Sequence, residues 1–142
     1  MSPQRILKQI AAILEANSLT WKDTPAGGMY LRFSSAGVAI ELGAWGSQTL
    51  IQIRSNVLSG VEAGTKTVLK EVNRLNEESQ FGRWVYYKTS RTIAVEYDLI
   101  GDHLQENELM TGLAALARAA DFHDDHLQHV LGGLRAFEET TG

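Results

Sequence analysis

Met29-Tyr30-Leu31-Arg32-Phe33-Ser34-Ser35-Ala36-Gly37-Val38-Ala39-Ile40-Glu41-Leu42 is the stretch on which the fold turns. Met29, Leu31 and Phe33 alternate with Tyr30, Arg32 and Ser34; Val38, Ile40 and Leu42 alternate with Ala39, Glu41 and Gly43. Successive strand side chains point to opposite faces, so a period of two marks a strand with one buried face. The short loop Ser34-Ser35-Ala36-Gly37 turns the first run back on the second, which predicts a hairpin. One face is apolar. The other carries Tyr30, Arg32 and Glu41 and is at least partly wet.

The same reasoning extends outward. Thr49-Leu50-Ile51-Gln52-Ile53-Arg54 supplies another strand, and Trp21-Lys22-Asp23-Thr24 a short one. Arg83–Ser90 and Thr92–Gly101 form a second hairpin around Ser90-Arg91, with Ile93, Val95, Tyr97 and Leu99 on one side and Ala94, Glu96 and Asp98 on the other. Three helices frame these strands. Ser2-Pro3 starts the first, since a Ser oxygen caps free amides and Pro at the first position has no amide to satisfy. Ile6, Leu7, Ile10, Ile13 and Leu14 give it an apolar stripe that ends at Asn17-Ser18. Thr65–Ser79 is the second, closed by Phe81-Gly82. The third runs from about Glu106 through Leu109, Leu113, Leu116, Ala120, Leu127 and Leu131, and Gly132-Gly133 stops it. The order α-β-β-β-α-β-β-α does not alternate one helix per strand. The fold class is therefore α+β, a mainly antiparallel sheet of about five strands with flanking helices. Residues 1–133 read as a single domain and 134–142 as a frayed tail.

Composition narrows the function. The chain has 142 residues, is 44% hydrophobic and 21% charged, and holds only 2 Pro, which suits a folded core. A net charge of −4 argues against nucleic-acid binding, which needs a basic face. With no cysteine, disulfides, thiol catalysis and Cys metal sites are excluded. Lys8 and Gln9 interrupt the N-terminal apolar run, so it is not a signal peptide. The longest weakly polar stretch, Leu109–Ala120, falls short of the roughly 20 residues a bilayer span needs. The expected location is the cytoplasm, away from the membrane.

Few residues suggest chemistry. His123, His126 and His129 stand three apart among Asp121, Asp124 and Asp125. Steps of three rotate around a helix, so three imidazoles cannot share one ion, but His126/His129 or Asp125/His129 could hold a metal. A solvated acidic helix face explains the same residues. Ser59-Gly60-Val61-Glu62-Ala63-Gly64-Thr65-Lys66-Thr67 has its glycines too close and its Lys too late for a phosphate loop. Asp102-His103 has no nucleophile elbow to serve. Glu41, Glu96 and Asp98 read as outward strand charges. No cofactor is called for, and the chain is not expected to be an enzyme. Trp84, Tyr86 and Tyr30 are rings that either anchor a protein partner or fill the core.

Val72-Asn73-Arg74-Leu75-Asn76 running into Phe81-Gly82 resembles the bacterial YbjN family. So do Gly101-Asp102-His103-Leu104 and the long helix carrying Ala120-Asp121, Asp124-Asp125-His126-Leu127 and Leu131-Gly132-Gly133. The resemblance covers about Val57–Gly133. That family is labelled as sensory-transduction regulators and resembles type III secretion chaperones in fold. The resemblance implies a chaperone-like domain, with an ordinary helix end where the His cluster falls and no catalytic residue to carry over. The resulting expectation is a non-enzymatic module that presents an apolar or aromatic surface, with Trp84, Tyr86 and Tyr30 as anchors, to a protein partner. By analogy it would be a homodimer. The alternative is a small regulatory sensor that binds a ligand or metal through His126, His129 and Asp125.

Overall fold

In the computed structural model, which describes residues 2–138, helix α1 (Pro3–Ala16) begins as its sequence predicts. The Arg5 amide donates to the Ser2 hydroxyl at 3.3 Å, and Ile6, Ile10 and Leu14 are fully buried. Seven strands follow: β1 (Lys22–Asp23), β2 (Met29–Phe33), β3 (Ala36–Trp45), β4 (Gln48–Ser59), β5 (Arg83–Tyr87), β6 (Thr92–Ile100) and β7 (Leu134–Arg135). Helix α2 (Thr65–Glu78) joins β4 to β5, and α3 (Glu106–Leu131) follows β6. All pairings are antiparallel, in the order β1-β2-β3-β4-β6-β5, with β7 against β4 off that path. The α+β class stands. The strand count is seven rather than about five: β1 is the short strand read at 21–24, left out of the element order, and β7, two residues long, carries no periodicity.

The alternation of the first hairpin places its aliphatic residues on the buried face. Leu31, Val38, Ile40, Ile51, Ile53, Ile93 and Val95 all lie there, none more than 2% exposed. Helix α3, with 26 residues, is about 39 Å long. Six strands at about 4.8 Å spacing make a sheet some 24 Å across. The helix therefore crosses β3, β4 and β6 and buries Leu109, Leu113, Leu116, Ala120, Leu127 and Leu131 against them. All three helices contribute to this one core.

Three boundaries differ from the expectation. The β2–β3 loop shrinks to Ser34-Ser35, because Ser34 adopts φ 54° and Ala36 resumes the strand. Strand β4 runs on past Arg54 to Ser59, through a register shift between Asn56 and Leu58 that breaks the period of two. Residues 134–138, expected to fray, are instead folded back: Gly132 and Gly133, at φ 73° and 101°, reverse the chain so that β7 pairs with Leu58 and Ser59. Residues 139–142 lie outside the described residues.

Strand β5 is an edge of the sheet, and Asn76 of α2 closes it. The Trp84 amide donates to Asn76 Oδ1 at 2.7 Å, and Asn76 Nδ2 donates back to the Trp84 carbonyl at 3.0 Å. One carboxamide thus replaces a neighbouring strand. Asn76→Ala should cost about 1–3 kcal/mol in urea unfolding, since both edge groups lose their partner. Asn73→Ala, which removes only a contact to exposed Glu77, should cost less than about 0.5 kcal/mol.

Candidate functional site

Because the helices share one face, the other face of the sheet is open. Register arranges its side chains in rows across the strands. Ile100, Leu50 and Gly43 form the first row, with exposed Trp45 beside it. Asp98, Gln52 and Glu41 form the second. The third runs Arg83, Glu96, Arg54, Ala39, Tyr30. The second and third rows line a groove of about 620 Å³ that Tyr87, Asn56 and residues 134–138 complete, and the first row lies on the same face beyond it.

Charge at the centre of the groove is paired across β4, β5 and β6. Arg83 reaches Glu96 at 3.2 Å and Asp98 at 3.6 Å, and Arg54 lies 3.8 Å from Glu96. The Tyr87 hydroxyl donates to Glu96, and the Arg54 guanidinium stacks 4.3 Å above the Tyr87 ring. Burial and the bond to the Glu96 carboxylate both push the Tyr87 hydroxyl pKa up, so it stays a donor at neutral pH. Burial also raises that of Tyr30, partly opposed by Arg32. Such a surface offers donors, acceptors and flat rings.

The C-terminal arm closes one end. Arg135 is held by Asp125 of α3 and by Glu138, whose carboxyl the Arg135 bond keeps below the usual carboxylate range. The Gln128 amide donates to the Gly133 carbonyl and to Glu138, both at 3.0 Å. Phe137 lies under the Arg32 guanidinium, 3.9 Å from the ring centroid, and edge-on to Tyr30 at 6.4 Å.

The three expected anchors divide between the faces. Tyr30 is on the open face, 36% exposed. Trp84 points the other way and is only 4% exposed, edge-on to His123 at 5.6 Å, so it belongs to the core and cannot serve as a surface anchor. Tyr86 shares that inward face and is half-buried against the core. Burial and the nearby Arg74 guanidinium hold His123 below the usual histidine range. The acids expected around a metal are otherwise engaged. Asp121 and Asp124 both accept from the Ser35 hydroxyl, and Asp125 pairs with Arg135. His126 and His129 are exposed, and among the described residues no group of three such side chains could hold a metal ion. Arg54, Arg83 and Phe137 are the site residues that sequence reasoning missed, and Tyr87 had stood among the candidate rings without being chosen as an anchor. Glu41, Glu96 and Asp98 had signalled the face, but not which cations meet them.

A family model described as "T3SS (YopN, CesT) and YbjN peptide-binding chaperone 1" (TY-Chap1) matches residues 4–139. No curated protein matches by sequence. Among solved structures, the fold is similar to a chain of the HopA1–SchA chaperone–effector complex, with a TM-score of 0.61 and 7% identity, over 88% of this chain and 99% of that one. It is similar to a chain of the ExsC–ExsE complex, with a TM-score of 0.58 and 16% identity, over 85% and 90%. It is also similar to YbjN from E. coli, with a TM-score of 0.58 and 11% identity, over 88% and 94%. At these identities the likeness establishes the fold.

Trp84→Ala should cost about 3–5 kcal/mol in chemical denaturation, as a large ring removed from a packed core does. Tyr87→Phe, which removes one hydroxyl from the open face, should cost less than about 1.5 kcal/mol.

Proposed function

The chain belongs to the TY-Chap1 family of type III secretion and YbjN peptide-binding chaperones, and we propose that it is a non-enzymatic module holding an extended segment of a protein partner across the open face of its sheet. The observation that carries this reading is the uncovered groove of about 620 Å³ on a sheet whose other face holds the core. Extended peptides suit such a surface. Main-chain groups find side-chain donors and acceptors along the rows, and apolar side chains find rings at the ends. From Gln52 to Ser59 the groove runs about 23 Å along β4, enough for about seven residues of extended chain.

The expectation of an apolar or aromatic surface is refined accordingly. Aromatic contact within the groove is concentrated at Tyr30 and Phe137, Trp45, Leu50 and Ile100 lie on the same face beyond its other end, and the middle is polar. Within the groove Glu96, Asp98 and Glu138 each answer to an arginine, an arrangement that suits recognition better than bond-breaking. Self-association accompanies the proposal, supported by Phe122, which stands 78% exposed on the helix layer. Its signature is a light-scattering mass twice the 15.6 kDa of one chain; a single-chain mass at micromolar concentration rejects it. Action in the cytoplasm, beside its protein partner, is part of the same reading.

Ala39 lies mid-groove between Tyr30 and Arg54, with its side chain directed away from the core. Ala39→Tyr should fill the groove and leave the melting temperature within about 3 °C, as surface changes do. On an array of overlapping unstructured peptides, the wild-type chain should retain a subset and the variant should lose that subset at least tenfold. Retention by the variant, or no retention by the wild type, would overturn the proposal.

A further inference from the structure

The arm at residues 134–138 occupies part of the groove in a manner that specifies what else could. Strand β3 leaves β4 after the pair Ala39–Arg54, while it continues beside β2 to Ala36. The flank of β4 beyond Arg54 is therefore an open edge inside the sheet. The arm fills only its far end, pairing Arg135 with Leu58 and Leu134 with Ser59. We propose that this arm is an internal stand-in for the partner strand. The partner it yields to is a chain that pairs with the β4 edge and then turns, as the arm does after Arg135, and that carries a basic residue two positions before an aromatic one. This inference rests on the reading of the open face as a peptide site and names the chemistry of its occupant.

Two seats define that chemistry. The first is Asp125, an exposed carboxylate on α3 that receives the Arg135 guanidinium. The second is an aromatic seat made by three residues. Gly37 provides its floor: a Cβ there would come within 3.2 Å of Phe137 and would collide with the Tyr30 hydroxyl. Arg32 covers the ring face and Tyr30 meets its edge, so the seat selects a π-system over an aliphatic chain.

The arm fits these seats imperfectly. Phe137 sits at φ 66°, in the left-handed region that a side chain with a Cβ occupies only under strain, and the ring is still 43% exposed. That residue closes the turn after β7, in which the Glu138 amide donates to the Arg135 carbonyl at 3.3 Å. A separate chain that makes the same turn reaches both seats without the Gly132-Gly133 reversal. The tethered arm competes through its high effective concentration alone, and so it lowers the partner's apparent affinity by the fraction of chains in which it is docked.

The test uses the full chain and a fluorescein-labelled peptide, Ser-Gly-Leu-Arg-Ala-Phe-Glu-Gly-Ser, in anisotropy titrations. Phe137→Ala, which empties the aromatic seat, should bind the peptide at least tenfold more tightly than wild type. Arg135→Ala, which frees Asp125, provides a second release variant and should also tighten binding. Peptides with the Phe or the Arg replaced by Ala should lose that gain, as should the double variant Phe137→Ala/Arg32→Ala. Equal peptide affinity for wild type and both release variants would overturn the inference, and so would no binding to any of them. Peptide-array retention that Ala39→Tyr abolishes but Phe137→Ala leaves unchanged would sink the stand-in alone and leave the broader reading intact. Tenfold tightening in an array-negative chain would do the reverse.

Discussion

One-sided burial governs this molecule. The central strands commit most of their aliphatic residues to the face under α1, α2 and α3, where each fully buried Ile, Leu or Val contributes about 1.5–3 kcal/mol. No helix remains for the second face. That face must then be stable in water by itself, and the sequence solves this by making it polar and self-paired along Arg83, Glu96 and Arg54. Stability and the binding surface thus come from the same alternation. A residue slip in any central strand would exchange them.

A sheet with an open face also has edges, and these are managed one by one. Asn76 supplies a strand-like pair of hydrogen bonds to Trp84 on β5. The two-residue β1 covers the start of β2. The opening beside β4 is covered by the chain's own arm. The three devices differ in strength. Asn76 sits on a helix packed against β5, whereas the arm joins by two strand pairs, a surface ion pair and a half-exposed ring. Exposed ion pairs contribute about 0–1 kcal/mol. The cover over the edge that borders the groove is thus weaker than the one Asn76 gives β5.

Much of this was legible in the residues. The hairpin at 29–42, the second at 83–101 and all three helices follow from periodicity, and their bounds agree to within a few residues. What escaped has specific causes. Strand β4 continues through a bulge at Asn56–Leu58, and an inserted residue erases the alternation that would reveal it. The β5 run alternates Trp84 and Tyr86 against Val85 and Tyr87, with rings on both faces. Parity was visible, but which face turns inward is set by Asn76 and α3, distant in sequence. The ladder Arg83–Glu96–Arg54 depends on β6 inserting between β4 and β5, a pairing between non-consecutive strands that no local pattern announces.

The distribution of chemistry along the open face carries a consequence for selectivity. Its central arginines and carboxylates are already mutually satisfied and solvent-accessible, so an incoming polar chain trades equivalent hydrogen bonds at little net gain. The ends differ. Rings and aliphatic side chains at Trp45, Leu50 and Ile100, and the Gly37 seat under Arg32, gain by excluding water, and an apolar contact has no counterpart to exchange. On the proposed reading, affinity is then set by apolar contacts at the two extremes of the open face, with the intervening residues free to vary. A surface built this way recognises a spacing of apolar side chains in an extended chain rather than a continuous sequence. That property suits a module whose partners are held before they fold.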